Sequence, residues 1–241
     1  MLLIISVLLT YHYYSLFETP ARGVSPNIAS RSSALHSVSR CQPAPGAYCV
    51  GADLVGIQLD FKDPAQINFQ GAVLAGSNLE YSSMQHANLI RANLAVSNLR
   101  GTYLVGANLT SANLANSNLT GIVLAFADIR NANLDGSDLS GASLKGALLA
   151  NASMVGARLW DASLYGARLE FANLAMANLT GADLGTAKLQ GATLAYADLR
   201  GVNLKDPNLT GANIKGADLT GTLFCLTIMP SGSMNNANCQ T

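Results

Sequence analysis

Ala107-Asn108-Leu109-Thr110-Ser111-Ala112-Asn113-Leu114-Ala115-Asn116-Ser117-Asn118-Leu119-Thr120-Gly121 repeats itself every five residues. Leu returns at the centre of each unit, a small residue stands two places before it, and Asn stands one place before it. Outward from this stretch the phase holds in both directions. Centres run by fives from Phe69 to Phe224, and each is Leu, Ile, Met or Phe. Leu54 and Leu59 share the phase, and Pro64 interrupts the composition without shifting it. Internal repetition of this kind decides a fold before any local propensity does.

A helix places apolar residues three and four apart and a strand places them two apart, so a period of five fits neither. It fits a chain that turns a corner every five residues, each unit forming one side of a square coil. The centre and the small residue before it then point inward, and the other three positions meet solvent. Gly and Asn are expected at the corners because they tolerate positive φ. Successive coils should pair at the strand spacing of about 4.8 Å.

These residues resemble the pentapeptide-repeat family, whose motif is A(N/D)Lxx. Ala107 to Ser111 and Ala182-Asp183-Leu184-Gly185-Thr186 match it outright, and the resemblance covers about Gly51 to Cys225. It implies an all-β right-handed quadrilateral β-helix of twenty residues per coil. On that basis residues 69–224 form about eight coils, a rod about 40 Å long, in a β-helix of about eight to nine coils in all. A solenoid has two open ends and needs a cap at each. Residues 41–68 are expected to form an N-terminal cap and irregular first coil. Residues 225–241, bounded by Cys225 and Cys239, are expected to form the C-terminal one; they are similar to the tail of exported cyanobacterial members.

The cysteines lie only outside the array: Cys41 and Cys49 before it, Cys225 and Cys239 after it. A long rigid array holds the two ends apart, which leaves Cys41–Cys49 and Cys225–Cys239 as the pairs within bridging reach. Disulfides imply an oxidising compartment. Residues 1–21 agree with that: Leu2 to Leu9 is apolar except for Ser6, as in the core of a secretory signal. Residues 22–40, rich in Ser, read as a linker. Export to periplasm, thylakoid lumen or medium is therefore expected, with no stable membrane span.

Composition excludes several chemistries. Charged residues make up 12% of the chain, with 14 Lys and Arg against 14 Asp and Glu, so no field recruits nucleic acid. A core filled by Leu offers no pocket in which polar groups converge. His86 occupies an outward position, and Asp138, Asp161, Asp183 and Asp198 stand where the repeat itself puts a polar residue. No enzyme activity, cofactor, metal site or small-molecule substrate is expected. Four Asn-Leu-Thr sequons, at Asn108, Asn118, Asn178 and Asn208, also arise from the repeat and are discounted.

Residues twenty apart stack into columns. Beside the centres Leu54, Leu74 and Leu94 the outward column runs Ala75, Ala95, Ala115, Asp135, Val155, Ala175 and Ala195. That side should be flat, small and neutral, while Arg100, Arg158 and Arg200 mark one neighbouring side and Arg130, Arg168 and Lys188 another. Ala75, Ala95, Ala115, Val155, Ala175 and Ala195 are the candidate interaction face, for a protein partner or a second copy. Trp160 and Tyr165 are candidate exposed anchors. The expected function is a non-catalytic structural or protein-binding solenoid. The alternative is a DNA mimic that protects topoisomerases, as some relatives do. That role needs rows of carboxylates, whereas residues 51–224 hold 13 acids against 11 bases.

Overall fold

The computed structural model describes residues 41–239. The expected signal-like segment 1–21 and linker 22–40 lie outside the described residues. Within them the chain bends every five residues and pairs in parallel with itself every twenty, from Tyr48↔Asn68 to Asn208↔Ile228. Four five-residue sides therefore make one turn of an all-β solenoid. We number the sides by their centres: side 1 holds Leu54 to Ile214, side 2 Leu59 to Leu219, side 3 Pro64 to Phe224, and side 4 Cys49 to Met229.

One repeat shows why this backbone is stable. The amide of Ala107 donates across the corner to the Leu104 carbonyl at 3.1 Å, and that of Asn108 to Ala87 in the preceding turn at 2.9 Å. Leu109 and Ser111 donate to Asp128 and Arg130 in the following turn, at 2.7 and 2.9 Å. The fifth amide, Thr110, has no backbone acceptor and donates to Asn108 Oδ1 at 3.0 Å. All five donors are thus satisfied, as a regular fold requires. Asn116, Asn131 and Asn151 sit at corners with positive φ, as expected, and the Asn of the motif has a different role. It stands beside the centre and closes an amide that the backbone leaves open. Corners accept many residue types: eighteen non-glycine residues carry positive φ, Phe126 and Phe171 among them.

The centres from Phe69 to Leu209 are buried to 2% exposure or less, as are the Ala residues two places before them. Where that inner position is Ser or Thr, the buried hydroxyl finds an acceptor: Ser117 donates to the Leu94 carbonyl at 2.7 Å, Thr102 to that of Leu79 at 2.7 Å, and Ser77 to the Ser97 hydroxyl at 3.3 Å. Burying a hydroxyl is tolerated on that condition. Each buried Leu contributes about 1.5–3 kcal/mol before entropy is subtracted. Near the C-terminus the burial weakens, and Ile214, Ala217, Leu219 and Phe224 are only partly covered. There β1 (Asn203–Lys205) pairs in parallel with β2 (Leu223–Cys225), and β3 (Thr227–Ile228) pairs antiparallel with β4 (Met234–Asn235). The returning tail brings Asn236 Oδ1 to the Leu226 amide at 2.8 Å, and its Asn238 amide donates to Phe224 at 3.0 Å. Cys225 and Cys239 stand 4.7 Å apart at Cα, and Cys41 and Cys49 5.3 Å, both separations that a disulfide spans.

Candidate interaction surfaces

Ala75, Ala95, Ala115, Val155, Ala175 and Ala195 stand in one outward, half-buried column on side 1. The adjacent Asn93, Asn113, Asn133 and Asn173 each accept the amide of the residue two ahead, and Asn113 also donates to Asn93 Oδ1 at 3.1 Å. Asp135 interrupts the neutrality with one carboxylate. Its Oδ1 accepts the Ser153 hydroxyl at 2.6 Å and the Val155 amide at 2.8 Å, closing a repeat that Ser153 itself does not; at Val73 and Thr193 the amides of Ala75 and Ala195 find no acceptor among the described residues. The face is not smooth at its margins. Val96, Met176 and Tyr196 on one corner and Phe171 on the other stand out with more than half their surface exposed.

Those corner rings have a structural partner. Phe171 lies across Gly191 and Tyr196 across Gly216, so closely that a Cβ on either glycine would come within 2.6 Å of the ring. Gly191 is therefore required twice, for its φ of +67° and for the ring above it.

The neighbouring sides hold ion pairs. Side 2 carries Arg100–Glu80 at 3.1 Å, Arg158–Asp138 at 3.6 Å and Arg200–Asp198 at 2.6 Å; side 4 carries Arg130–Asp128 at 2.6 Å and Arg168–Glu170 at 3.1 Å. Hydrogen bonds from Arg130 hold the Asp128 carboxyl below the usual range, and those from Arg200 hold Asp198 down to about 2. Thr220 lowers Asp218 in the same way. Asp138 and Asp183 accept the amides of Ser140 and Gly185 and so close their turns. His86 is exposed and lies over Gly106. Trp160 and Tyr165 are exposed as expected, on different sides, with Lys145 5.8 Å from the Tyr165 ring centre.

Side 3 holds a surface that sequence reasoning passed over. At the position where the motif puts Asn or Asp, five successive turns carry Ser83, Tyr103, Val123, Ser143 and Ser163. The amides of Gln85, Val105, Ala125, Lys145 and Tyr165 accordingly find no partner among the described residues. Tyr103 is 47% exposed on this row, and Tyr81 and Phe126 stand exposed at its two margins. The signal was available in the columns: the Asn or Asp of the motif is missing from five successive turns here, against three on side 4, at Leu148, Arg168 and Lys188.

The pentapeptide repeats family matches the chain in 8 copies, over residues 67–104, 102–141, 142–184, 167–206, 187–224 and 208–238. No curated protein matches it. Among solved structures, HetL, a pentapeptide repeat protein involved in heterocyst differentiation regulation from the cyanobacterium Nostoc sp. strain PCC 7120, is 30% identical. The match covers 78% of this chain and 92% of HetL, with a TM-score of 0.57. Full-length QnrB1, a plasmid-mediated fluoroquinolone resistance protein, is 19% identical over 70% of this chain and 90% of its own, with a TM-score of 0.36. A pentapeptide repeat protein of the Arabidopsis thaliana thylakoid lumen is 20% identical over 59% and 71%, with a TM-score of 0.22.

Proposed function

Because the chain belongs to the pentapeptide-repeat family, we propose that it is a non-catalytic solenoid that binds protein in an extracytoplasmic compartment. In this reading it is right-handed, has eight to nine coils and is closed at both ends, with Cys41–Cys49 and Cys225–Cys239 formed as disulfides. The observation that carries it is side 1: a column of small neutral residues on rigid backbone, flanked by exposed Phe171, Met176 and Tyr196. Exposed apolar groups on a preformed flat surface suit protein contact. HetL is involved in heterocyst differentiation regulation, and a binding role for this chain is compatible with that. Paired cysteines at each end support an oxidising compartment.

The test is an Ala115→Arg, Ala175→Glu double variant. Both residues point outward, so the melting temperature should move little, since exposed substitutions usually shift stability by under about 0.5 kcal/mol. Light scattering, and capture of partners from the native compartment, should show association in wild type and none in the variant. Unchanged association would refute side 1 as the binding face.

A further inference from the structure

We propose that the Cys225–Cys239 pair is a thiol–disulfide exchange site, opened by the dithiol of a reducing oxidoreductase, and that its opening releases the C-terminal tail from the end of the coil. The inference rests on the reading above that this pair is formed as a disulfide.

The two pairs differ in access. Cys49 is 1% exposed and belongs to the continuous apolar core. A thiolate attacking that pair through the half-buried Cys41 must expel Cys49 as a thiolate among apolar side chains, which burial disfavours. Cys225 and Cys239 are both partly exposed, and Cys225 lines a surface hollow with Asn203, Lys205, Leu223 and Asn238.

The hollow carries a positive charge. In the parallel pairing of β1 with β2, Lys205 stands directly opposite Cys225, so the two are neighbours on one outward face. Lys205 is exposed and makes no ion pair among the described residues. Its sequence neighbour Asp206 stands on the corner, at φ +60° and outside that pairing. An ammonium beside a sulfur lowers the thiol pKa, and a thiol of lower pKa leaves faster. The step follows from this. One thiolate of the reductant attacks Cys239 Sγ, a mixed disulfide forms, and the electron pair of the broken S–S bond leaves on Cys225 Sγ beside Lys205. The second thiolate of the reductant then attacks the mixed disulfide and expels Cys239. The reductant ends as a disulfide, and its two electrons and two protons end on the two cysteines.

Little else holds the tail. Residues 231–234 and 236–238 are exposed, so their burial contributes little. What remains is the two-residue ladder of β3 with β4, the Leu226 amide on Asn236 Oδ1 and the Asn238 amide on the Phe224 carbonyl. A bond between residues 14 apart keeps these few contacts together by restricting the free chain.

The experiment uses the full chain isolated without reductant, exposed for timed intervals to reduced thioredoxin or to dithiothreitol, then alkylated and mapped by mass. Cys225–Cys239 should open about tenfold faster than Cys41–Cys49. Lys205→Gln should slow the opening about threefold, and Lys205→Arg should restore it. On opening, the amides of Leu226 and Asn238 should lose protection from hydrogen exchange, while that of Leu114, bonded to Asn133 at 2.7 Å, keeps it. A Cys225→Ser, Cys239→Ser variant should show the same loss with no reductant present. It should keep its β-rich circular dichroism, since coils couple mainly to their neighbours. If Cys225 and Cys239 are unlinked before reductant is added, the disulfide reading falls and this inference with it. If they are linked but open no faster than the first pair, this inference alone is overturned. Full protection of the Leu226 and Asn238 amides after reduction, or a wild-type rate in Lys205→Gln, overturns it equally.

Discussion

On side 1, Asn93 and Asn113 close the amides of Ala95 and Ala115 and hydrogen-bond to each other along the rod. On side 3, Tyr103 and Val123 stand at the corresponding positions, and the amides of Val105 and Ala125 stay open. The inner rows behind them are equivalent: Leu94 and Leu114 on one side, Leu104 and Leu124 on the other, none more than 1% exposed. The difference teaches that coil geometry is set by the inward residues and turn-to-turn backbone bonds. The side-chain acceptor beside the centre is a local convenience, which a side can give up without losing its register.

The largest effect should ignore the distinction between sides. Leu114→Asp on side 1 and Leu124→Asp on side 3 each bury an unpaired charge, at a cost of several kcal/mol. Both variants should fail to give a β-rich circular dichroism spectrum. If the side 3 variant folded while the side 1 variant did not, the inner rows would not be equivalent.

A smaller effect separates the corners. Gly121→Ala places a side chain at φ +64° with open space around it and should cost about 1–2 kcal/mol for the left-handed backbone alone. Gly191→Ala meets the Phe171 ring as well, at 2.6 Å. It should therefore melt lower than Gly121→Ala, and adding Phe171→Ala should bring the two together. Equal melting temperatures without that second change would mean that the ring does not rest on the glycine in solution.

The inward half of this architecture was legible in sequence because a period of five, a bulky apolar centre and a small neighbour admit one packing. Ala157 and Leu159 lie inside, Trp160 outside, as the phase requires. The role of Asn was less legible. Asn116 and Asn131 do sit at corners with positive φ, but Asn108 and Asn118 act through hydrogen bonds that no propensity reveals. The corner rings escaped because Phe171 and Gly191 are twenty residues apart and meet only once the turn length is known. Side 3 escaped for a related reason: the missing Asn at Tyr103 or Val123 looks like ordinary repeat variation until five turns are aligned.

The smallest effect distinguishes rows closed by Asp from rows closed by Asn or left open. Asp198 accepts both the amide and the guanidinium of Arg200, at 3.2, 2.8 and 2.6 Å, and these bonds hold its carboxyl at about 2 against an ordinary 3.8. A folded-state value below the unfolded one stabilises the fold above the unfolded value. That contribution is lost as pH falls through the folded one. Wild type should therefore lose stability between about pH 4 and pH 2, with Asp128 beside Arg130 adding in the same direction. Asp198→Asn keeps an oxygen for the Arg200 amide and removes the charge. At neutral pH it should melt close to wild type, because the pair is partly exposed and such pairs contribute little. Its loss on acidification should be shallower than that of wild type, as read by thermal melts at stepped pH. An Asp198→Asn variant with the full wild-type acid dependence would place the acid sensitivity elsewhere. Asp closure of a row would then be equivalent to Asn closure, and the side 1 and side 3 surfaces would differ only in whether the amide is closed.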